Sequence, residues 1–153
     1  MGAGGYRDGE SDTKKIMRKR THSRELALQI LYQIDIKHSE LSEVLEDFWR
    51  ENSKEDTLSR NYTEKLVRGT IGKLGEIDKT IERFTENWAI GRMAFVDRNI
   101  LRLSTYEILY VEDIPLKVAI NEAVELAKRY GESDSSKFVN GILDKIAKTE
   151  TKK

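Results

Sequence analysis

Two stretches of this chain carry residues suited to holding an anion. From Thr13 to Arg24 there are six Lys/Arg (Lys14, Lys15, Arg18, Lys19, Arg20, Arg24) and no acid. Far downstream, Asp134, Ser135, Ser136 and Lys137 occupy a short polar turn between two amphipathic segments, at a helix start. Free backbone N–H groups and the helix dipole favour a phosphate there. The same four residues also fit plain capping, with Asp134 or Ser133 accepting from the N2 or N3 amide, and the sequence leaves both readings open. Tyr32 extends a stripe of Thr21, Arg24 and Leu28. Its ring is either a platform for an unstacked base or a boundary residue with a wet hydroxyl. For RNA binding, the basic front of the first helix must lie beside the serine-rich entry to the last, as one continuous cationic surface.

Other chemistry is thinly supplied. The two histidines, His22 and His38, have no partner at metal-ligand spacing, HExxH is absent, and there is no cysteine. The glycines of GAGG near the start follow no strand, so a phosphate-cradling loop is not expected. Neither cofactor nor metal is expected, and the chain does not read as an enzyme. Glu107 is the one carboxylate on an apolar stripe. It is either a general acid or base with a raised pKa or, as the preferred reading, a buried acid paired with an arginine from another helix, because Arg98 and Arg102 stand at poor spacing.

The chain of 153 residues suits one domain with a real core. Its formal net charge is zero, so affinity for nucleic acid must come from segregated charge. Segregation is visible: Glu40 to Asp56 holds seven acids against Arg50 and Lys54. No apolar run approaches the roughly 20 residues of a membrane span, and the start lacks a secretion signal. A cytoplasmic protein is expected.

The elements that must present these residues are all helical. Residues 1–17 read as a disordered tail; Met17 sits where ordered sequence begins and is a candidate start, a question the sequence leaves open. Helix 1 is expected from Thr21 or Ser23 to His38, burying Ala27, Ile30, Leu31 and Ile34. Four more follow at about 42–52, 59–73, 75–87 (with Trp88 inward) and 93–111. Gly69 implies a close helix contact. Pro115 opens helix 6, which Gly131 caps. Helix 7 buries Phe138, Val139, Ile142, Leu143 and Ile146, and Asn140-Gly141 implies a close crossing. The expected organisation is an all-α domain over residues 18–148, with seven helices in two sub-bundles (about 18–74 and 75–148) and a tail at 149–153.

The motifs resemble a known family. VAINEAVELAKRYG followed by SSKFVNGILDKIA is similar to the C-terminal signature of the NusB family of bacterial transcription antitermination factors. RELALQILYQID resembles that family's first helix and VDRNILRLSTYEIL its fifth. The resemblance runs in order from about Arg18 to Ala147. It implies a two-sub-bundle helical fold and a non-enzymatic adaptor. With the ribosomal protein NusE, such an adaptor binds single-stranded boxA RNA within the RNA polymerase antitermination complex and promotes read-through, notably in ribosomal RNA operons. It further implies RNA contacts at Arg18, Lys19, Arg20, Thr21, His22 and Arg24, at Tyr32, and at Asp134 through Lys137. Thr21, His22 and Ser23 interrupt an arginine run that is denser in relatives, which implies reliance on NusE for RNA affinity. The alternative is a helical protein–protein module without RNA contact.

Overall fold

The computed structural model describes residues 10–86 and 88–150. Among these there are seven α-helices and no strand: α1 (Asp12–Lys37), α2 (Leu41–Glu51), α3 (Thr57–Gly72), α4 (Leu74–Arg83), α5 (Phe95–Tyr110), α6 (Leu116–Tyr130) and α7 (Ser135–Glu150), with a short 3-10 turn at Ile90–Arg92. No described helix is long and apolar enough to cross a membrane.

The centre of the molecule is α5, which packs against α1, α3, α4, α6 and α7. Its Ile100, Leu101, Leu103 and Ile108 are fully buried, together with Ile30 and Leu31 of α1, Leu66 of α3, Ile77 and Ile81 of α4, and Leu143 and Ile146 of α7. These side chains form one continuous apolar cluster. Ionic clasps reinforce it. Arg98 grips Asp35 with Nε and Nη2 at 2.6 and 2.7 Å, and Arg102 reaches Asp78 at 2.8 and 2.9 Å, so α1, α4 and α5 are joined at one end.

The first helix begins well upstream of the expected Thr21 or Ser23. Ser11 is its N-cap, its hydroxyl accepting from Lys14 N–H at 3.1 Å, and Asp12 favours the positive helix end. Residues 12–17, expected in a disordered tail, are its first turns. Thr21 and Ser23 spend their hydroxyls elsewhere: Thr21 Oγ1 donates to Met17 C=O, and Ser23 Oγ donates to Ser59 C=O at 2.7 Å. A hydroxyl that back-bonds or bridges helices sits inside a helix without ending it. Residues 1–9 and 151–153, which carry most of the expected tails, lie outside the described residues, and 149–150 finish α7.

Three further corrections concern α4, α5 and the glycines. Helix α4 stops at Arg83, and Met93 and Ala94 are extended, so α5 starts at Phe95. Trp88 lies between them, exposed, tilted over Phe138 with ring centroids 5.3 Å apart. A Cβ on Gly141 would meet nothing within 4 Å, so no helix crossing explains it; a Cβ on Gly69 would overlap the Tyr106 ring, a true close contact. Gly131 ends α6 with an extended backbone and not a left-handed one. A Cβ there would stand 2.6 Å from Ser135 Cβ, so close approach is what demands glycine.

Candidate nucleic-acid interface

The front of α1 displays its cations on successive turns. Lys14 and Lys15 are exposed and make no ion pair among the described residues, while the exposed Arg18 forks onto Glu10 at 2.9 and 3.0 Å. Lys19 Nζ meets Asp56 at 2.9 Å. Asp56 is held down to about 2, first by the Ser59 backbone N–H it accepts as the α3 N-cap and then by Lys19. Arg20 pairs with Asp113 at 3.1 Å and lies 4.5 Å over the Tyr62 ring. Thr21 is exposed, and His22 sits between Glu55 at 2.9 Å and Glu25 at 3.7 Å.

Arg24 does not belong to this surface. Its side chain is 4% exposed, with Nε 2.8 and 3.0 Å from the two oxygens of Glu107 and Nη1 3.2 Å from Glu122. Tyr62 donates its hydroxyl to the same Glu107 carboxylate. Burial disfavours the charge on Arg24, but Glu107 outweighs it and the guanidinium pKa is raised; burial and then Glu107 push the Tyr62 phenol upward. Glu107 is therefore a structural acid whose arginine comes from another helix, and Arg24 is the brace joining α1 to α3, α5 and α6. The expected RNA contact at Arg24 is corrected accordingly. Its spacing carried the signal: residue 24 precedes Ala27 by three and Leu31 by seven, on the buried face.

The entry to α7 is also split. Ser135 is 1% exposed and its Oγ accepts from Glu132 N–H at 2.9 Å, closing the corner over Gly131. Its hydroxyl is thus not available to a ligand, whereas Asp134 and Lys137 are exposed and Ser136 half-buried. Sequence reasoning named Asp134 or Ser133 as the cap; the bond found here is made by Ser135.

The two anion-seeking features share the α1–α6 side but stand at opposite ends of α6. Arg20 touches Asp113 just before α6 begins, while Glu25, further along α1, takes Arg129 and Tyr130 from where α6 ends. At 1.5 Å per residue, the 15 residues of α6 span about 22 Å between these two ends. The expected continuous cationic surface is interrupted by paired charges: Arg24 with Glu107 and Glu122, and Arg129 with Glu25. Tyr32 is 37% exposed and meets Phe95 edge-on, centroids 6.1 Å apart. Phe95, Tyr130 and Trp88 are exposed aromatics that the sequence reading missed or turned inward. Their signal was faint, since each sits at or beyond a helix end, where periodicity says least.

The NusB family model matches residues 21–148. The transcription antitermination protein NusB of Anaeromyxobacter sp. (strain Fw109-5) is 49% identical over 129 residues, covering 84% of this chain and 90% of the relative. The chain belongs to the NusB family. The structure of T. maritima NusB superposes with a TM-score of 0.81 at 41% identity, over 87% of this chain and 93% of that one. A chain in the crystal structure of antitermination factors NusB and NusE in complex with dsRNA gives 0.79 at 30% identity, over 86% and 98%. Arg18, Lys19 and Arg20 precede the segment matched by the NusB model, whereas Tyr32 and the α7 corner fall inside it.

Proposed function

We propose that the protein is a transcription antitermination factor: a non-enzymatic, cytoplasmic adaptor that, with NusE, binds boxA RNA and joins the RNA polymerase antitermination complex, promoting read-through notably in ribosomal RNA operons. The observation that carries this reading is family membership over residues 21–148, with similarity to a chain seen with NusE and RNA. The charge distribution agrees. Lys14 and Lys15 are unspent, and Arg18, Lys19 and Arg20 sit in ion pairs that are exposed on at least one side. Such pairs contribute at most about 1 kcal/mol each, so a phosphate can take the place of Glu10, Asp56 or Asp113.

Thr21, His22, Tyr32, Asp134, Ser136 and Lys137 complete the proposed contact set, while Arg24 and Ser135 act from inside by fixing α1 and the α7 corner. Arg24 holds the first helix at one angle to the other three helices it reaches. The test is an anisotropy titration of boxA RNA with the protein, with and without NusE. Binding that tightens with NusE is expected; no RNA binding in either condition overturns the reading.

One observation favours a protein-only module. Ile16, Met17 and Leu58 are exposed beside the α1 front, where clefts of about 330 and 310 Å³ run against α6 and α3. Normal NusE binding together with absent RNA binding selects that second reading.

A further inference from the structure

From Arg18 to His22, every side chain able to carry positive charge faces an acid from elsewhere in the chain. Arg18 forks onto Glu10, in the segment ahead of α1. Lys19 Nζ meets Asp56 and His22 Nε2 meets Glu55, consecutive carboxylates of the corner between α2 and α3. Arg20 Nη2 meets Asp113, in the turn between α5 and α6. The acids thus reach one stretch of α1 from three separate parts of the fold.

The Arg18, Lys19 and Arg20 pairs stand at 2.9, 2.9 and 3.1 Å. A phosphate oxygen accepts from such a nitrogen at the same distance, so each carboxylate occupies a place that a phosphate would take. Asp56 is the best anchored of the three. Its carboxylate also accepts from Ser59 N–H as the α3 cap, so it stays in place when a strand draws Lys19 away. Its pKa of about 2 keeps it charged at any ordinary pH. Displacement therefore leaves carboxylate and phosphate close together with like charge, which opposes binding.

We propose that Glu10, Asp56 and Asp113 are built-in competitors of RNA, each holding a phosphate position at the front of α1 and together keeping electrostatic binding weak. The proposal rests on the RNA-adaptor reading and deepens it, naming residues that set affinity from the repelling side. Any strand that uses these cations must break the same pairs, whatever its sequence. A strand that offers charge alone gains nothing else in return and is held poorly. Discrimination then falls to contacts elsewhere and to NusE.

The test uses Glu10→Gln, Asp113→Asn and Asp56→Asn, singly and together; asparagine keeps a good N-cap at position 56. Glu112→Gln is the control, an exposed acid beside Asp113 that makes no ion pair among the described residues. Each protein is titrated by anisotropy with boxA RNA and with a scrambled RNA of equal length, with and without NusE, at two salt concentrations. Each single variant should bind about 1.5- to 5-fold more tightly than wild type, and the triple variant about 3- to 100-fold. The gain should be the same for both RNAs, larger than that of Glu112→Gln, and smaller at high salt, where the pairs are screened. A folded triple variant that binds RNA no more tightly than Glu112→Gln overturns the proposal, as does a gain confined to boxA or a loss of affinity. If circular dichroism shows the triple variant unfolded, Glu10→Gln and Asp113→Asn decide on the same criteria. Wild-type protein that binds no RNA under any condition removes the adaptor reading itself, and this proposal with it.

Discussion

Replacing Arg24 by Gln should damage the fold and not the surface. The guanidinium is 4% exposed and satisfies Glu107, itself 1% exposed, through two contacts, with Glu122 as a second partner. Removing one member of a buried pair leaves the other charge uncompensated, at about 3–5 kcal/mol. In a domain of this size each kcal/mol moves the unfolding temperature by about 2–4 °C, so the expected drop is about 6–20 °C. Arg20→Gln is the control. Its partner Asp113 is exposed, and the loss of that pair and of the stacking over Tyr62 should cost about 1–2 kcal/mol at most. Replacing the network together, as Arg24→Met with Glu107→Leu and Tyr62→Phe, should recover most of the lost stability, because apolar groups of similar volume need no charge partner. Thermal and urea unfolding followed by circular dichroism measure all three. An Arg24→Gln protein that melts within about 2 °C of wild type, or an Arg20→Gln protein that melts lower, refutes the assignment of Arg24 as a brace.

Other outcomes are open to measurement. Neutralising about three phosphates of a single strand predicts that log K falls with log salt at a slope of about −2, and Arg18, Lys19 and Arg20 all changed to Gln should abolish RNA binding while the protein stays folded, as circular dichroism checks. Asp56 has a folded pKa near 2 against an ordinary 3.8, so its contribution is complete above about pH 4 and is lost as pH falls from there toward 2; Asp56→Asn should flatten that limb of the urea midpoint against pH. Gly69→Ala should destabilise by about 1–3 kcal/mol through overlap with Tyr106, whereas Gly141→Ala, with free space around it, should stabilise by about 0.5–1 kcal/mol; chemical denaturation of both decides.

Much of the helical pattern could be read because apolar residues recur at the spacing of a buried face: α2, α3, α6 and α7 lie within about two residues of their expected bounds. The start of α1 could not, because Thr21 and Ser23 are cap-forming types whose hydroxyls bond to Met17 and Ser59, and only the fold reveals the second partner. The site was harder. A run of cations says nothing about which of them faces inward; Arg24 shares a charge class with Arg20 but lies on the Ala27–Leu31 face, where Glu107 from α5 meets it. Ser135 looked like a ligand hydroxyl until the close approach of Gly131 turned it to the corner. The distance between the α1 front and the α7 entry depends on how α6 lies along α1, which no local spacing encodes. Phe95 and Tyr130 escaped notice for a related reason: an aromatic at a helix end is apolar by type, and only the arrangement of three helices makes it a wall of a groove.

The path of RNA along the α1–α6 side is tested most directly by cross-linking. A boxA RNA carrying a photoreactive uridine at each position in turn, bound with NusE, should yield adducts at the front of α1, at Tyr32 and near Lys137, from different positions of the RNA. Adducts confined to the acidic face of α2 or to α4, with none on α1, would contradict it.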